Sequence, residues 1–156
     1  MKRDTLIVGA VLAGIAVAIL GGSVLCSWAI AHGASMQWRL LFRLFCHGIP
    51  SRCLTLWHVP MPICARCTAI YGGALAGIVL MRLLPAMSER AAWIVMIVAA
   101  SPLAIDGLTQ LTTLRESTNT LRLITGVLGG AGFALWALTS VERHTASATE
   151  SVRSSS

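Results

Sequence analysis

The stretch LIVGAVLAGIAVAILGGSVLCSW, residues 6–28, decides the fold class because it contains no charged side chain. A helix of this length rises about 35 Å, enough to cross the roughly 30 Å hydrocarbon core of a bilayer. A secretory signal peptide is the alternative, since Ala29-Ile30-Ala31 resembles a cleavage site. The run exceeds the roughly 7–15 apolar residues of a signal peptide, so we predict a retained transmembrane helix.

Three more apolar runs follow, and together they predict an all-α polytopic membrane protein built as a four-helix transmembrane bundle. Residues 1–144 are predicted to form one transmembrane domain, with a disordered Ser-rich tail at 145–156. The predicted spans cover residues 6–28, 68–84, 91–106 and 121–138. Only 12% of the residues are charged, against about 25% in soluble domains. We therefore expect the lipid bilayer as a partner.

The basic residues do not indicate a nucleic-acid partner. The net charge is +6, but it is spread thinly between apolar runs and forms no Lys/Arg-rich patch. The 12 basic residues divide equally between the two predicted sides of the membrane, so the positive-inside rule gives no orientation by count. Lys2 and Arg3 beside the first span favour a cytoplasmic N-terminus.

The segment between the first two spans is predicted to contain a short interfacial helix and a Cys/His-rich loop. Residues 36–45 place Arg39 and Arg43 one turn apart, with apolar side chains available to another face. One glycine and three prolines oppose regular helix between residues 47 and 63: Gly48, Pro50, Pro60 and Pro62.

Two Gly-x-x-x-Gly pairs, Gly73/Gly77 in the second span and Gly126/Gly130 in the fourth, place both glycines on one helical face. Such faces allow close backbone approach between helices in a membrane. The alternative is that glycine is simply common in membrane spans.

Polar residues gather at one end of the predicted bundle, because an even number of spans separates the two connections that carry them. They are Cys46, His47, Arg52, Cys53, His58, Cys64, Arg66 and Cys67 in the first connection, and Asp106, Thr109, Gln110, Arg115, Asn119 and Arg122 in or beside the second. We expect a shared polar cluster in which Asp106 pairs with Arg66 or Arg122. Asn119 could instead cap the fourth helix, and Arg122 could extend to water.

The cysteines indicate sharper chemistry. Cys64-Ala-Arg-Cys67 lies at a helix start, where the helix dipole favours thiolates, so the pair can bind a metal or form a disulfide. A tetrahedral zinc site can be assembled from Cys46, His47, Cys64 and Cys67, with His58 as alternate ligand. Bracing disulfides remain open if the loop faces an oxidising compartment. A c-type haem is disfavoured because threonine follows Cys67.

Four motifs in fixed order resemble the DUF2085 family, small predicted membrane proteins of bacteria and archaea with no known function. They are Cys46-His47-Gly48-Ile49-Pro50-Ser51-Arg52, Cys64-Ala65-Arg66-Cys67-Thr68-Ala69-Ile70-Tyr71, Pro102-Leu103-Ala104-Ile105-Asp106-Gly107-Leu108-Thr109-Gln110 and Ser117-Thr118-Asn119-Thr120-Leu121-Arg122-Leu123-Ile124-Thr125-Gly126. The resemblance spans residues 45–130. The family pattern has glutamine at Gly48, serine at Cys53 and glycine at Ala69, which implies that Cys53 is dispensable.

The resemblance implies an integral protein of a prokaryotic inner (plasma) membrane but brings no reaction with it. Our leading hypothesis is a zinc site at one membrane face. The alternatives are a thiol-disulfide oxidoreductase coupled to a membrane quinone, and a non-catalytic membrane subunit that binds a protein partner. No feature of the sequence names a substrate.

Overall fold

Four helices dominate the computed structural model, which describes residues 3–84, 87–111 and 117–154. They are α1 (Arg3–Ala31), α2 (Ala65–Leu83), α3 (Glu89–Leu111) and α4 (Asn119–Ser154). Each contains a segment long and apolar enough to cross a membrane. The predicted all-α fold with four candidate spans is therefore confirmed.

Two helices extend further than the sequence predicts. α3 continues through Asp106 to Leu111, so the first part of the predicted connection 106–120 is helical, while residues 112–116 lie outside the described residues. Gln110 Nε2 donates to the backbone oxygen of Asp106 at 2.9 Å, which stabilises this last turn. α4 continues to Ser154, into the segment predicted to be a disordered tail, because residues 139–154 contain no glycine or proline to end it.

The connection between α1 and α2 has more regular structure than a loop. A first 3₁₀ helix, Met36–Leu44, forms where the interfacial helix is predicted, and a second covers Pro50–Arg52. An antiparallel hairpin of β1 (Cys53–Leu56) and β2 (Val59–Cys64) then leads into α2. Prolines are tolerated in β2 because each strand of a two-stranded sheet is an edge strand.

The glycine pairs lie at the interface between α2 and α4. A Cβ atom at Gly73 would be 2.2 Å from the backbone oxygen of Val127, and one at Gly130 would be 2.1 Å from that of Ile70. The backbones of the two helices are therefore in direct contact, as the Gly-x-x-x-Gly spacing predicts. α3 packs on another side of α4, where Gly132 faces Ala99.

A small apolar core fixes the hairpin against the bundle. Ile19 of α1 is buried with Met61 and Ile63 of β2, and the side chains of Phe42 and Tyr71 pack against them. Because β2 runs directly into α2, this core also fixes the position of the cysteines at their junction.

Candidate metal centre and polar cluster

Three cysteines converge at the junction of β2 and α2. The Sγ atoms of Cys46, Cys64 and Cys67 all lie within 4.8 Å of one another. Cys64 is the N-cap residue of α2, and Cys67 lies in its first turn, so the helix itself places these two sulfurs side by side. Cys46, far earlier in the chain, is held there because the backbone N–H of Cys64 donates to its sulfur at 3.3 Å.

Hydrogen bonds within the cluster favour a thiolate at Cys46 and a protonated thiol at Cys67, whose pKa is raised because it donates to Cys46 and Cys64. Cys46 Sγ also accepts from the N–H of Gly48 at 3.4 Å, and Cys64 Sγ accepts from that of Cys67 at 3.5 Å. The pKa of Cys46 is lowered to about 2, because the thiols of Cys64 and then Cys67 donate hydrogen bonds to it and the two backbone donors add to this. Thiolates are the form in which cysteines bind metal ions.

In this chain, Gly48 allows the loop that carries Cys46 to lie close to β2. Its φ of 58° lies in the left-handed region, and a Cβ atom there would be 2.6 Å from the backbone oxygen of Pro62. A side chain at this position would therefore push the loop away from β2 and with it the backbone N–H that Gly48 donates to Cys46.

The sulfur geometry fits a metal ion after small adjustments. Sulfurs that each lie about 2.3 Å from a tetrahedral zinc ion are about 3.8 Å apart. The three sulfurs of the cluster lie within 4.8 Å of one another, so they need to approach by about 1 Å at most. All five cysteines of the chain are free thiols in the structure. The cluster can therefore hold a metal through three sulfurs, which leaves one tetrahedral position for another ligand.

The predicted histidine ligands are not part of this group. His47 and His58 are both exposed, and neither offers a nitrogen within 4.8 Å of all three sulfurs. His58 lies with Trp57 at the hairpin turn, where both residues have positive φ values. His47 lines a cavity that also reaches Cys46.

Cys53 is separate from the cluster, as the resemblance implied. It is buried, its thiol donates to the backbone oxygen of Ile49 at 3.1 Å, and burial raises its pKa to about 11. Cys53 is therefore a packed side chain whose sulfur is not among the three that converge.

The polar residues form a continuous chain across three helix ends. Arg66 of α2 forms an ion pair with the buried carboxylate of Asp106 on α3. Gln110 joins this pair to α4, since its Nε2 donates to Asp106 Oδ2 at 3.0 Å and its Oε1 accepts from Arg122 at 3.4 Å. Asn119 Oδ1 accepts from Arg122 at 2.9 Å.

These contacts answer three questions that the sequence left open. Of the two predicted partners, Arg66 rather than Arg122 forms the ion pair with Asp106. Arg122 is buried within the cluster rather than extended to water. Asn119 does not cap α4 with its side chain, because the backbone N–H of Leu121 donates to the hydroxyl of Thr118 at 3.3 Å. The starts of α2 and α4 and the end of α3 consequently lie at one end of the bundle.

Arg39 is a structural residue that the sequence did not identify. Its guanidinium donates to the backbone oxygens of Gly48 and Met61, at 3.3 and 3.1 Å. It thereby joins the loop that carries Cys46 to strand β2. Contacts of this kind leave no sequence signal, because any residue offers a backbone carbonyl.

Comparison with known proteins gives a family but no activity. A family profile described as a predicted membrane protein (DUF2085) matches residues 46–136. An uncharacterized protein of Methanocaldococcus jannaschii is 39% identical over 93 residues, which are 58% of this chain and 59% of the relative. The chain therefore spans about three fifths of the length of that protein. An uncharacterized protein of Methanothermobacter thermautotrophicus is 39% identical over 103 residues, 66% of this chain and 91% of the relative. No solved structure matches significantly.

Proposed function

We propose, for a chain that belongs to the DUF2085 family of predicted membrane proteins, that Cys46, Cys64 and Cys67 bind a zinc ion at one face of the membrane. The observation that carries the proposal is the approach of three sulfurs to within 4.8 Å of one another. Three soft thiolate ligands favour zinc among the common divalent ions of cells. A redox-active disulfide would need only two of these three cysteines.

The fourth ligand in this proposal is His47, which follows Cys46 and lines the same cavity. A histidine ligand would need the loop at residues 46–48 to close onto the cluster. If His47 does not bind, a water molecule or a substrate completes the tetrahedron, as in catalytic zinc sites. His58 is the alternate ligand, and its place at the hairpin turn makes it the weaker choice.

The polar cluster supports a metal centre electrostatically. Three thiolates and one zinc ion carry a net charge of −1, and Arg66 lies between two of the ligands in the chain. Arg122 is close enough to Cys64 for their charges to interact. Arginines near metal-bound thiolates offset the residual negative charge and hold the ligand-bearing helix in place.

The test is the metal content of the detergent-purified full-length protein. Mass spectrometry of the metal should find one zinc per chain in the wild type, and loss of it in Cys46→Ser, Cys64→Ser and Cys67→Ser. Cys53→Ser is the matched control, because this cysteine is packed next to the site without contributing a sulfur to it. Cobalt added in place of zinc should give the absorption of a thiolate complex. Full zinc retention in the three variants would refute the proposal.

A thiol-disulfide oxidoreductase is the second proposal, supported by the position of Cys64 at a helix N-terminus next to two other free thiols. It would pass electrons to a membrane quinone. Titration of free thiols before and after reduction separates the two proposals. Reversible loss of two thiols without bound metal favours redox chemistry, whereas a stable metal complex with unoxidised thiols favours zinc.

A further inference from the structure

A cavity of about 390 Å³ lies between the first 3₁₀ helix and the loop that follows it. We call it the interfacial cavity. Its lining combines Arg39 and Arg43 with apolar side chains such as Leu40 and Ile49, and it also includes Cys46 and His47. The proposed zinc site borders this space through Cys46 and His47, whereas no residue of the polar cluster lines it.

The charge of the interfacial cavity selects an anion. Arg39 and Arg43 both line it, and none of the described lining residues is acidic. Arg39 is fixed in position by two backbone carbonyls, whereas Arg43 is exposed. The apolar remainder of the lining would not suit a small inorganic anion, which is fully hydrated in water. It does suit an anion that carries a hydrocarbon chain.

The depth of the cavity in the bundle can be read from helix contacts. Gly9 of α1 lies beside Ile78 of α2. Thirteen residues forward along α1 lead to Gly22, and thirteen residues back along α2 lead to its first residue, Ala65. Gly22 lies against Phe42 of the first 3₁₀ helix, with 3.5 Å between the ring and a Cβ built on Gly22. The first 3₁₀ helix therefore lies at the level where α2 begins.

We infer from the charged residues at this level that it lies near the boundary between hydrocarbon and headgroups. The charged residues Arg66 and Arg122 are found in the first turns of α2 and α4 there. α1 continues uncharged to Ala31, about 14 Å further at 1.5 Å per residue. Because this extension exceeds the roughly 5–8 Å thickness of a headgroup layer, the cavity lies between the outer hydrocarbon and the headgroups.

The outer surface of the first 3₁₀ helix is apolar and unusually exposed. Trp38 and Leu41 are more than half exposed, and Leu44 is 90% exposed. A tryptophan beside leucines and arginines is typical of helices that lie in the membrane interface. A cavity behind such a helix opens to lipids rather than to bulk water.

We propose that the interfacial cavity binds an anionic phospholipid, with its phosphate between Arg39 and Arg43 and the start of an acyl chain along Leu40 and Ile49. The preformed position of Arg39 and the interfacial depth both favour this ligand over a soluble anion. Because Cys46 lines the same cavity, the bound lipid would lie next to the cysteine cluster. Binding of the lipid itself does not require a metal at the cysteines.

Native mass spectrometry of the full-length protein in detergent tests this inference. Phosphatidylglycerol and phosphatidylcholine with identical acyl chains are titrated separately, and we expect one phosphatidylglycerol to bind about tenfold more tightly than phosphatidylcholine. Arg43→Gln should weaken phosphatidylglycerol binding about fivefold, as expected for one arginine at a membrane surface. The matched control is Arg82→Gln, in the last turn of α2 at the opposite end of the bundle, which should leave binding unchanged.

A second variant, Leu40→Trp, fills the cavity without changing charge and should also weaken phosphatidylglycerol binding. Thermal unfolding of each variant checks that the fold is retained. Equal affinity for the two lipids would overturn the inference, and so would equal losses in Arg43→Gln and Arg82→Gln, which would indicate diffuse charge attraction. Displacement of phosphatidylglycerol by inorganic phosphate at a similar concentration would assign the cavity to a free anion instead. Failure of phosphate to compete supports the lipid.

Discussion

Replacing Gly73 with alanine should force α2 and α4 apart, and Gly72→Ala provides a control one residue away. A Cβ atom on Gly73 would lie 2.2 Å from the backbone oxygen of Val127 and 2.8 Å from its backbone carbon atoms. A Cβ atom on Gly72 would have no neighbour within 4 Å. The two variants add the same methyl group to the same helix, so they differ only in what that methyl group meets.

The magnitude follows from the distance. Ordinary van der Waals contact begins near 3.4 Å, so α4 must move by about 1.2 Å at Val127, and a backbone oxygen cannot rotate away as a side chain can. Overpacking costs about 1–3 kcal/mol, and a clash with backbone belongs at the upper end. Alanine also raises helix propensity by about 1 kcal/mol over glycine, equally in both variants. We expect Gly73→Ala to be about 3 kcal/mol less stable than Gly72→Ala.

Thermal unfolding in detergent, followed by circular dichroism, measures this difference. For a chain of this length, 1 kcal/mol shifts Tm by about 2–4 °C, so the two variants should differ by about 6–12 °C. Gly72→Ala should unfold at or slightly above the wild-type temperature. Equal unfolding temperatures for the two variants would refute direct backbone contact between α2 and α4.

Two further predictions concern groups near the site. Asp106→Asn leaves the charge of Arg66 uncompensated and should lower the free energy of unfolding by about 1.5–3 kcal/mol in the same thermal assay. The control is Asp4→Asn at the exposed start of α1, which should change the free energy of unfolding by less than about 0.5 kcal/mol. Burial raises the pKa of Cys53 from 9.0 to about 11, so at pH 8 its alkylation should be roughly a hundredfold slower than that of an exposed thiol. Because the folded pKa is the higher one, the associated stabilisation is present below pH 9 and is lost as the pH rises through about 11. Melts of Cys53→Ala across this range should lack that loss.

The helices and their packing faces were predictable because both depend on local composition. Twenty or so uncharged residues in a row fix a span without knowledge of its neighbours, and glycines four residues apart share a face whatever they pack against. The end of α3 was not predictable in the same way. Asp106 suggested the end of the span, yet its charge is compensated inside the bundle by Arg66, which lies 40 residues earlier.

The cysteine cluster was half predictable. Cys64 and Cys67 are one helical turn apart, so their proximity follows from α2 alone. The position of Cys46 depends on the hairpin of β1 and β2, a stretch whose prolines predict a loop. Its turn residues, Trp57 and His58, adopt positive φ values that usually require asparagine or glycine, so the usual hairpin signal is missing.

Helix packing and the proposed metal centre are linked through Gly126. A Cβ atom there would lie 2.6 Å from the side chain of Ala69 and 2.8 Å from the backbone oxygen of Arg66. The close approach of α4 therefore reaches the first turn of α2, the turn that also carries Cys67. Since Arg66 is held at the same time by Asp106 of α3, three helices fix the position of the residue between two of the proposed ligands. Three helices therefore hold the first turn of α2 in place. The loop that carries Cys46 must supply any movement that brings the three sulfurs around a metal ion.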